Sequence, residues 1–251
     1  MTARLSRRLT AALLALTILG AAFATGAVAV SHLDGSQNTA YLSVAHASPD
    51  APPVDVYVDD SSALENVSFG DVSDYLELDA GTHTVTITAA GNRDAVVFEG
   101  DVTLERGTVT TVAASGEVSA NGTTEFAPRA FSDDALTPDE GEAAVRVVHL
   151  SPDAPTVDVT AAGGDVVLAE NVSFGNASNY VTVPAGNYEV EIRQDTQNAN
   201  GTVIATTNVS VASGTAYTAW ALGYASPADA PGDEPFEVAL TEDATLTIEL
   251  P

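Results

Sequence analysis
Residues His46 to Val56 read HASPDAPPVDV, and residues His149 to Val159 read HLSPDAPTVDV. A longer pair follows: ENVSFGDVSDYLELDAGTHTVTI from Glu65 to Ile87, and ENVSFGNASNYVTVPAGNYEVEI from Glu170 to Ile192. Gly107 and Gly116 match Gly214 and Gly223, and FSDDA (Phe131 to Ala135) aligns with LTEDA (Leu240 to Ala244). The spacing between matching blocks grows from 103 through 105 and 107 to 109, so short loop insertions separate them. A duplication constrains the architecture before any strand is assigned, because both copies must fold alike. A unit of roughly a hundred residues is the size of a domain, so the chain is a tandem pair and not a solenoid. Copy one occupies 40–135, LTPDEGEA (136–143) is the linker, and copy two runs over 144–251 with a C-terminal strand.

Within each copy apolar residues alternate in short runs. Leu42, Val44 and His46 share one strand face; Val54, Val56 and Val58 share another, with Asp55 and Tyr57 opposite. Leu76 and Leu78 precede Asp79-Ala80-Gly81, after which Val85 and Ile87 resume the period of two. Such runs, broken by glycine-containing turns, predict antiparallel strands and hairpins, six or seven to a copy. The expected fold class is all-β: two tandem antiparallel β-sandwiches of immunoglobulin or transthyretin type. Each copy holds a complete strand set, which predicts that each folds alone.

These residues resemble the bacterial and archaeal family known as domain of unknown function 4397. Its hallmark, VRVVHASPDAPAVDVYV followed by GxxSxYxxxPAGxYxVxV, is matched closely by Val145 to Val159 and Gly175 to Val190. Copy one departs mildly, with Asp79 where copy two has Pro184. The resemblance implies secreted or surface β-sandwich modules, often in tandem. It implies no activity and carries no catalytic residues.

Arg4, Arg7 and Arg8 begin the chain, Leu9 to Val30 carries no charge, and Ala27-Val28-Ala29 offers a small-x-small cleavage site. This order is that of a secretory signal over 1–29, followed by a flexible N-terminus over 30–39. If it is not cleaved, residues 9–30 are long enough to anchor in a bilayer, which would be the only membrane contact. Ser6-Arg7-Arg8 hints at twin-arginine export, although Thr10 and Ala11 stand where bulky apolar residues are usual. Thirty-five acids face eight basic residues, all of them Arg, for a net charge of −27. A surface this acidic repels nucleic acid and is costly to fold at low salt. Missing Lys together with excess carboxylate resembles the haloarchaeal style of protein, in which molar salt screens the repulsion. With no Cys, disulfides, thiolate metal sites and cysteine nucleophiles are excluded.

The repeated corner offers the best site candidates: His46 with Asp50, and His149 with Asp153. A His beside a carboxylate suits a base and its orienting partner, or a metal. Strand phase separates His46 from Asp55, which points to the other face. It leaves Asp50, which sits in the turn and suits bonding to its own backbone N–H groups. The favoured reading is structural, a buried His bonded to the turn. Ser48 and Ser151 lack a nucleophile elbow. His83 aligns with Tyr188, so that slot needs no imidazole, and Gly163-Gly164 is a turn without phosphate-loop context. Asp59, Asp60, Asp133 and Asp134 are oxygen donors of the kind Ca²⁺ prefers, but no calcium-loop spacing surrounds them and they read as solvated loops. Six of eleven Asn residues lie in sequons (Asn66, Asn121, Asn171, Asn176, Asn200 and Asn208), where chance would place about two. The chemistry is thus dispersed. The expectation is an exported, non-enzymatic structural or adhesive module without a cofactor, whose partner is an envelope protein or glycan. A small-ligand or metal-binding protein using the corner, and an unrecognised hydrolase, are the alternatives.

Overall fold
In the computed structural model the described residues are 38–245, with two-residue strands besides at Leu16–Thr17, Val28–Ala29 and Thr247–Ile248. The rest of the 1–29 signal segment and most of 30–39 lie outside the described residues. Among those described, no helix is long and apolar enough to cross a membrane.

Copy one contains β1 (Thr39–Ala47), β2 (Val54–Val58), β3 (Ser61–Val67), β4 (Leu76–Asp79), β5 (Gly81–Ala89), β6 (Val96–Leu104), β7 (Val109–Ser115) and β8 (Ala127–Ser132). Copy two contains β9 (Glu142–His149), β10 (Val157–Ala161), β11 (Val166–Val172), β12 (Asn176–Ala177), β13 (Val181–Pro184), β14 (Gly186–Gln194), β15 (Val203–Val211), β16 (Thr215–Leu222) and β17 (Glu237–Asp243). The sandwich class is as expected, with more strands than alternation alone revealed. Strand β9 begins at Glu142, inside the stretch read as linker.

Each copy pairs an outer with an inner sheet. The outer sheets run β6-β5-β2-β3 and β11-β10-β14-β15, antiparallel throughout these strands, with the short strand Leu16–Thr17 added parallel to β6 at the edge of the first. The inner sheets run β8-β7-β1-β4 and β17-β16-β9, with β12 and β13 both on the free edge of β9. Here the expectation of purely antiparallel pairing needs correction. Strands β1 and β7 are parallel, with Tyr41 opposite Val109, and so are β9 and β16, with Ala143 opposite Thr215. The first strand of each copy is joined to its inner neighbour only after the whole outer sheet has been laid down, so the pair does not arise from a hairpin.

The period-two residues do what the pattern requires. Leu42 and Val44 from β1, Val54, Val56 and Val58 from β2, Val85 and Ile87 from β5, and Val102 and Leu104 from β6 form the core of copy one. Val145, Val147, Val157, Val159, Val190 and Ile192 do the same in copy two. The β2–β3 hairpin turns through Asp59 and Asp60, both at positive φ (48° and 63°), as a primed two-residue turn demands. Gly116 and Gly223 hold equivalent positions after β7 and β16, both at positive φ; a Cβ at either would strike the carbonyl of Glu125 or Pro235 in the returning segment.

The inner strands pack the two copies against each other. Every residue of β1 and of β7 is buried, so both faces of these strands are covered. One face lies in the core of copy one. The other, with Ala45, Ala47, Ala113 and Phe131, packs against Val148, Leu150, Trp220 and Leu222 of copy two in a third apolar cluster. The molecule is therefore four sheets deep. Copy two alone would present Trp220, Leu150 and Leu222 to water, a cost that bears on the expectation of autonomous copies.

Candidate functional site
The two His corners are the same device built twice. His46 is 2% exposed and His149 fully buried. Nε2 of His46 donates to the Pro52 carbonyl at 3.1 Å, and Nδ1 accepts from the Ser48 N–H at 3.4 Å. His149 bonds Pro155 and Ser151 likewise, at 3.0 and 3.3 Å. Phe69 and Phe174 stand edge-on to the two imidazoles. Burial holds both His pKa values below the ordinary value, so the rings are neutral at pH 7. With one nitrogen donating and the other accepting within the turn, neither ring has a lone pair to offer a ligand.

The pairing of His46 with Asp50, and of His149 with Asp153, is not what forms. Asp50 accepts from the N–H groups of Val118 and Ser119 at 2.9 and 2.8 Å, and Asp153 accepts from Ala225 and Ser226 at 2.7 Å each. These donors lie in the loops after β7 and β16, brought close by the parallel pairing of those strands with β1 and β9. Each carboxylate thus caps a neighbouring loop, and within its own turn Asp50 Oδ1 has only the long contact from Ser48 Oγ at 3.4 Å. Ser48 Oγ is spent on the Gly116 carbonyl at 2.6 Å, and Ser151 is fully buried. His46→Ala or His149→Ala is expected to lower stability by about 1–3 kcal/mol, the scale of stranding buried backbone partners. Denaturant melts in molar salt check this. Unchanged melting with lost binding of some ion or small molecule would move the corner to the ligand class.

Asp55 takes the outward phase, as expected, but it and its counterpart Asp158 are buried. Asp55 accepts from Asn66 and Gly91 N–H at 2.8 Å each, and Asp158 from Asn171 and Thr196 at 2.9 Å each. The backbone donors of Asn66 and Gly91 hold the Asp55 pKa below the ordinary value. Both clamps sit beside irregular pairing in the outer sheet. Equivalence also holds at His83, whose Nε2 donates to the Asp79 carbonyl at 2.7 Å, while Tyr188 OH donates to that of Pro184 at 2.6 Å. Asp59 and Asp60 are engaged by His83 and Arg93. Among the described residues, no three His, Asp or Glu side chains are grouped to hold a metal.

Sequence reasoning missed the largest polar cluster, which lies between the copies. Asp133 is not a solvated loop residue but is 1% exposed. Its Oδ2 accepts from Tyr75 OH at 3.0 Å and Thr111 Oγ1 at 2.7 Å. In copy two, Asp243 Oδ2 accepts from Tyr180 OH at 2.9 Å and Thr218 Oγ1 at 2.7 Å. The partners show that Asp133 corresponds to Asp243, which shifts the FSDDA alignment by one residue. Arg146 from β9 lies between, bonded to Asp133 and the Ser132 carbonyl, with Nε on Thr218 Oγ1 at 2.8 Å and its guanidinium over the Tyr180 ring. Its counterpart in copy one is Ser43, so one cation serves two carboxylates. At the other end, Tyr224 OH donates to Glu117 Oε1 at 3.0 Å, joining residues that hold the same position in the two copies. The signal for Arg146 was present: a lone charge inside the apolar run AAVRVVHL.

Burial pushes the Asp133 pKa up to about 6, against the pull of Arg146. A raised carboxylate pKa means the folded state binds the proton more tightly than the unfolded chain. Its contribution therefore favours folding below about pH 4 and is progressively lost as pH rises through 6. The two buried His residues act with the opposite sign below their ordinary pKa, so the Asp133 effect is read against Asp133→Asn. The stability of the natural chain relative to this variant is expected to fall between pH 4.5 and pH 7.5, measured by thermal melting at fixed molar salt. A constant difference would remove the titration.

The fold and its two structural corners define a class: a tandem β-sandwich whose copies are fused through their inner sheets. The family model described as "Domain of unknown function (DUF4397)" matches residues 40–160 and 145–247, and the chain belongs to that family. No curated protein matches it. Among solved structures, a leucine-rich repeat protein from Bacteroides thetaiotaomicron VPI-5482 is 13% identical with a TM-score of 0.18; the match covers 75% of this chain and 26% of that one.

Proposed function
We propose that the chain is an exported, non-enzymatic structural or adhesive module of the cell surface or envelope, adapted to high salt. The observation that carries this reading is the state of both His corners. The residue types that would perform chemistry are buried and committed to backbone groups that shape loops. Much of what remains exposed on the outer sheets is polar, with single exposed Val residues such as Val96, Val167 and Val203 among it. On the outer sheet of copy one, Tyr57, Thr86 and Glu99 form a cross-strand row beside Thr84 and Asp101. Arg93 lies over the Tyr57 ring at 4.5 Å. An aromatic ring among hydroxyls and carboxylates suits an envelope protein or glycan. The test is co-sedimentation of the purified mature chain with envelope fragments from its source in molar salt. Binding that weakens in Tyr57→Ala is expected, and a chain that stays wholly in the supernatant would falsify the adhesive reading.

The acid excess supports the high-salt part. Raising salt from 0.1 M to 1 M shortens the Debye length from about 10 Å to about 3 Å, which screens carboxylate repulsion. The melting temperature is expected to rise steadily over that range of sodium chloride. A flat profile would sink the high-salt adaptation, and a rise with a few millimolar Ca²⁺ alone would point to a metal site.

A further inference from the structure
We infer that Asn208, on an outer-sheet edge, is the principal N-glycosylation site of the folded chain. All six sequon Asn residues are exposed. They differ in whether turn chemistry already explains them. Asn176 donates its amide to Ser173 Oγ at 2.7 Å, while Ser178 Oγ, the hydroxyl of its sequon, is bonded to Val147 N and the Asn179 carbonyl. Asn200 is tied to Thr196, and the sequon hydroxyl of Asn121, on Thr123, is held by Glu117. Asn66 and Asn171 sit at φ 55° and 54°, a conformation that favours Asn in any case.

Asn208 has no such account. It lies inside β15, opposite Glu189, where Asn is disfavoured. Residues i and i+2 of a strand share a face. The amide of Asn208 and the hydroxyl of Ser210 therefore stand together on the exposed side of β15.

Placement supplies the second support. Strand β15 is one edge of its outer sheet, Asn171 lies near the end of β11 at the other edge, and Asn66 near the end of β3 at the edge of copy one. Exposed edges invite pairing with other chains, and Lys is a common means of blocking them. This chain has no Lys. A sugar on the edge would block it sterically.

In the reaction the Asn208 amide nitrogen attacks the anomeric carbon of a sugar carried on a lipid phosphate. The N–C bond forms, the C–O bond to phosphate breaks, and the amide proton leaves with the lipid phosphate. No redox partner is needed.

The inference rests on the export reading, and the two are tested separately. The chain is recovered from its source by fractionation, digested, and sequenced by fragmentation that retains sugars. A hexose-type mass addition on Asn208 is expected, lost in Asn208→Gln and Ser210→Ala and kept in Ser210→Thr. Unmodified Asn208 in chain recovered from medium or envelope would overturn the site. Chain found only inside the cell would overturn export and the modification with it.

Discussion
Arg146→Ala is expected to destabilise the chain by about 3–5 kcal/mol, the cost of breaking a buried ion pair from one side. Removing the guanidinium leaves Asp133 buried with no cation, and removes the donors to the Thr218 hydroxyl oxygen and the Ser132 carbonyl. Asp243, buried nearby and bonded to Thr218, loses the same positive field. The loss is measured by urea titration in molar salt. Arg146→Met combined with Asp133→Asn is expected to recover much of it, because an apolar side chain beside a neutral amide strands no charge. A loss below about 1 kcal/mol for Arg146→Ala would mean that water reaches the cluster and that the interface is looser than its burial indicates.

Trp220→Ala is expected to cost a further 3–5 kcal/mol by a different route, since about that much is lost when a large buried ring becomes a cavity. Trp220 is 1% exposed, meets Phe131 edge-on at 5.9 Å, and donates Nε1–H to Thr241 Oγ1 at 2.8 Å. It is the largest side chain in the cluster that joins the copies. Circular dichroism is the suitable probe, because the substitution removes the chain's only Trp. Besides the loss, the variant is expected to melt in two steps, as the copies lose their shared core. An unchanged single transition would mean that the two copies remain one cooperative unit without Trp220 in their shared core.

The fold class, the duplication and the inward phase of His46 and His149 were legible because each follows from local period and repetition. Asp50 was legible as a structural residue but not in its target. Val118 and Ser119 lie far along the chain, and only the parallel pairing of β1 with β7 brings them near. The parallel pairs themselves leave no mark in strand alternation. The interface had a mark that a period of two does not capture: the near-continuous apolar runs of β1, β9 and β16, which are the pattern of strands covered on both faces. Asp133 was hidden for a related reason, since a carboxylate next to Asp134 reads as solvent-facing until its Tyr, Thr and Arg partners are placed around it.

The two faces that meet between the copies are unlike in bulk at matching positions. Copy one offers Ala45, Ala47, Ala113 and Ser115, where copy two offers Val148, Leu150, Trp220 and Leu222. Two faces of the first kind would leave a gap, and two of the second would collide. The duplicated halves have thus become each other's complement, and the tether between them makes the encounter intramolecular. Their docking valency is satisfied within one molecule, so this surface does not propagate a chain of subunits. Growth into any larger array has to proceed through the outer sheets and their borders, where stoichiometry is open.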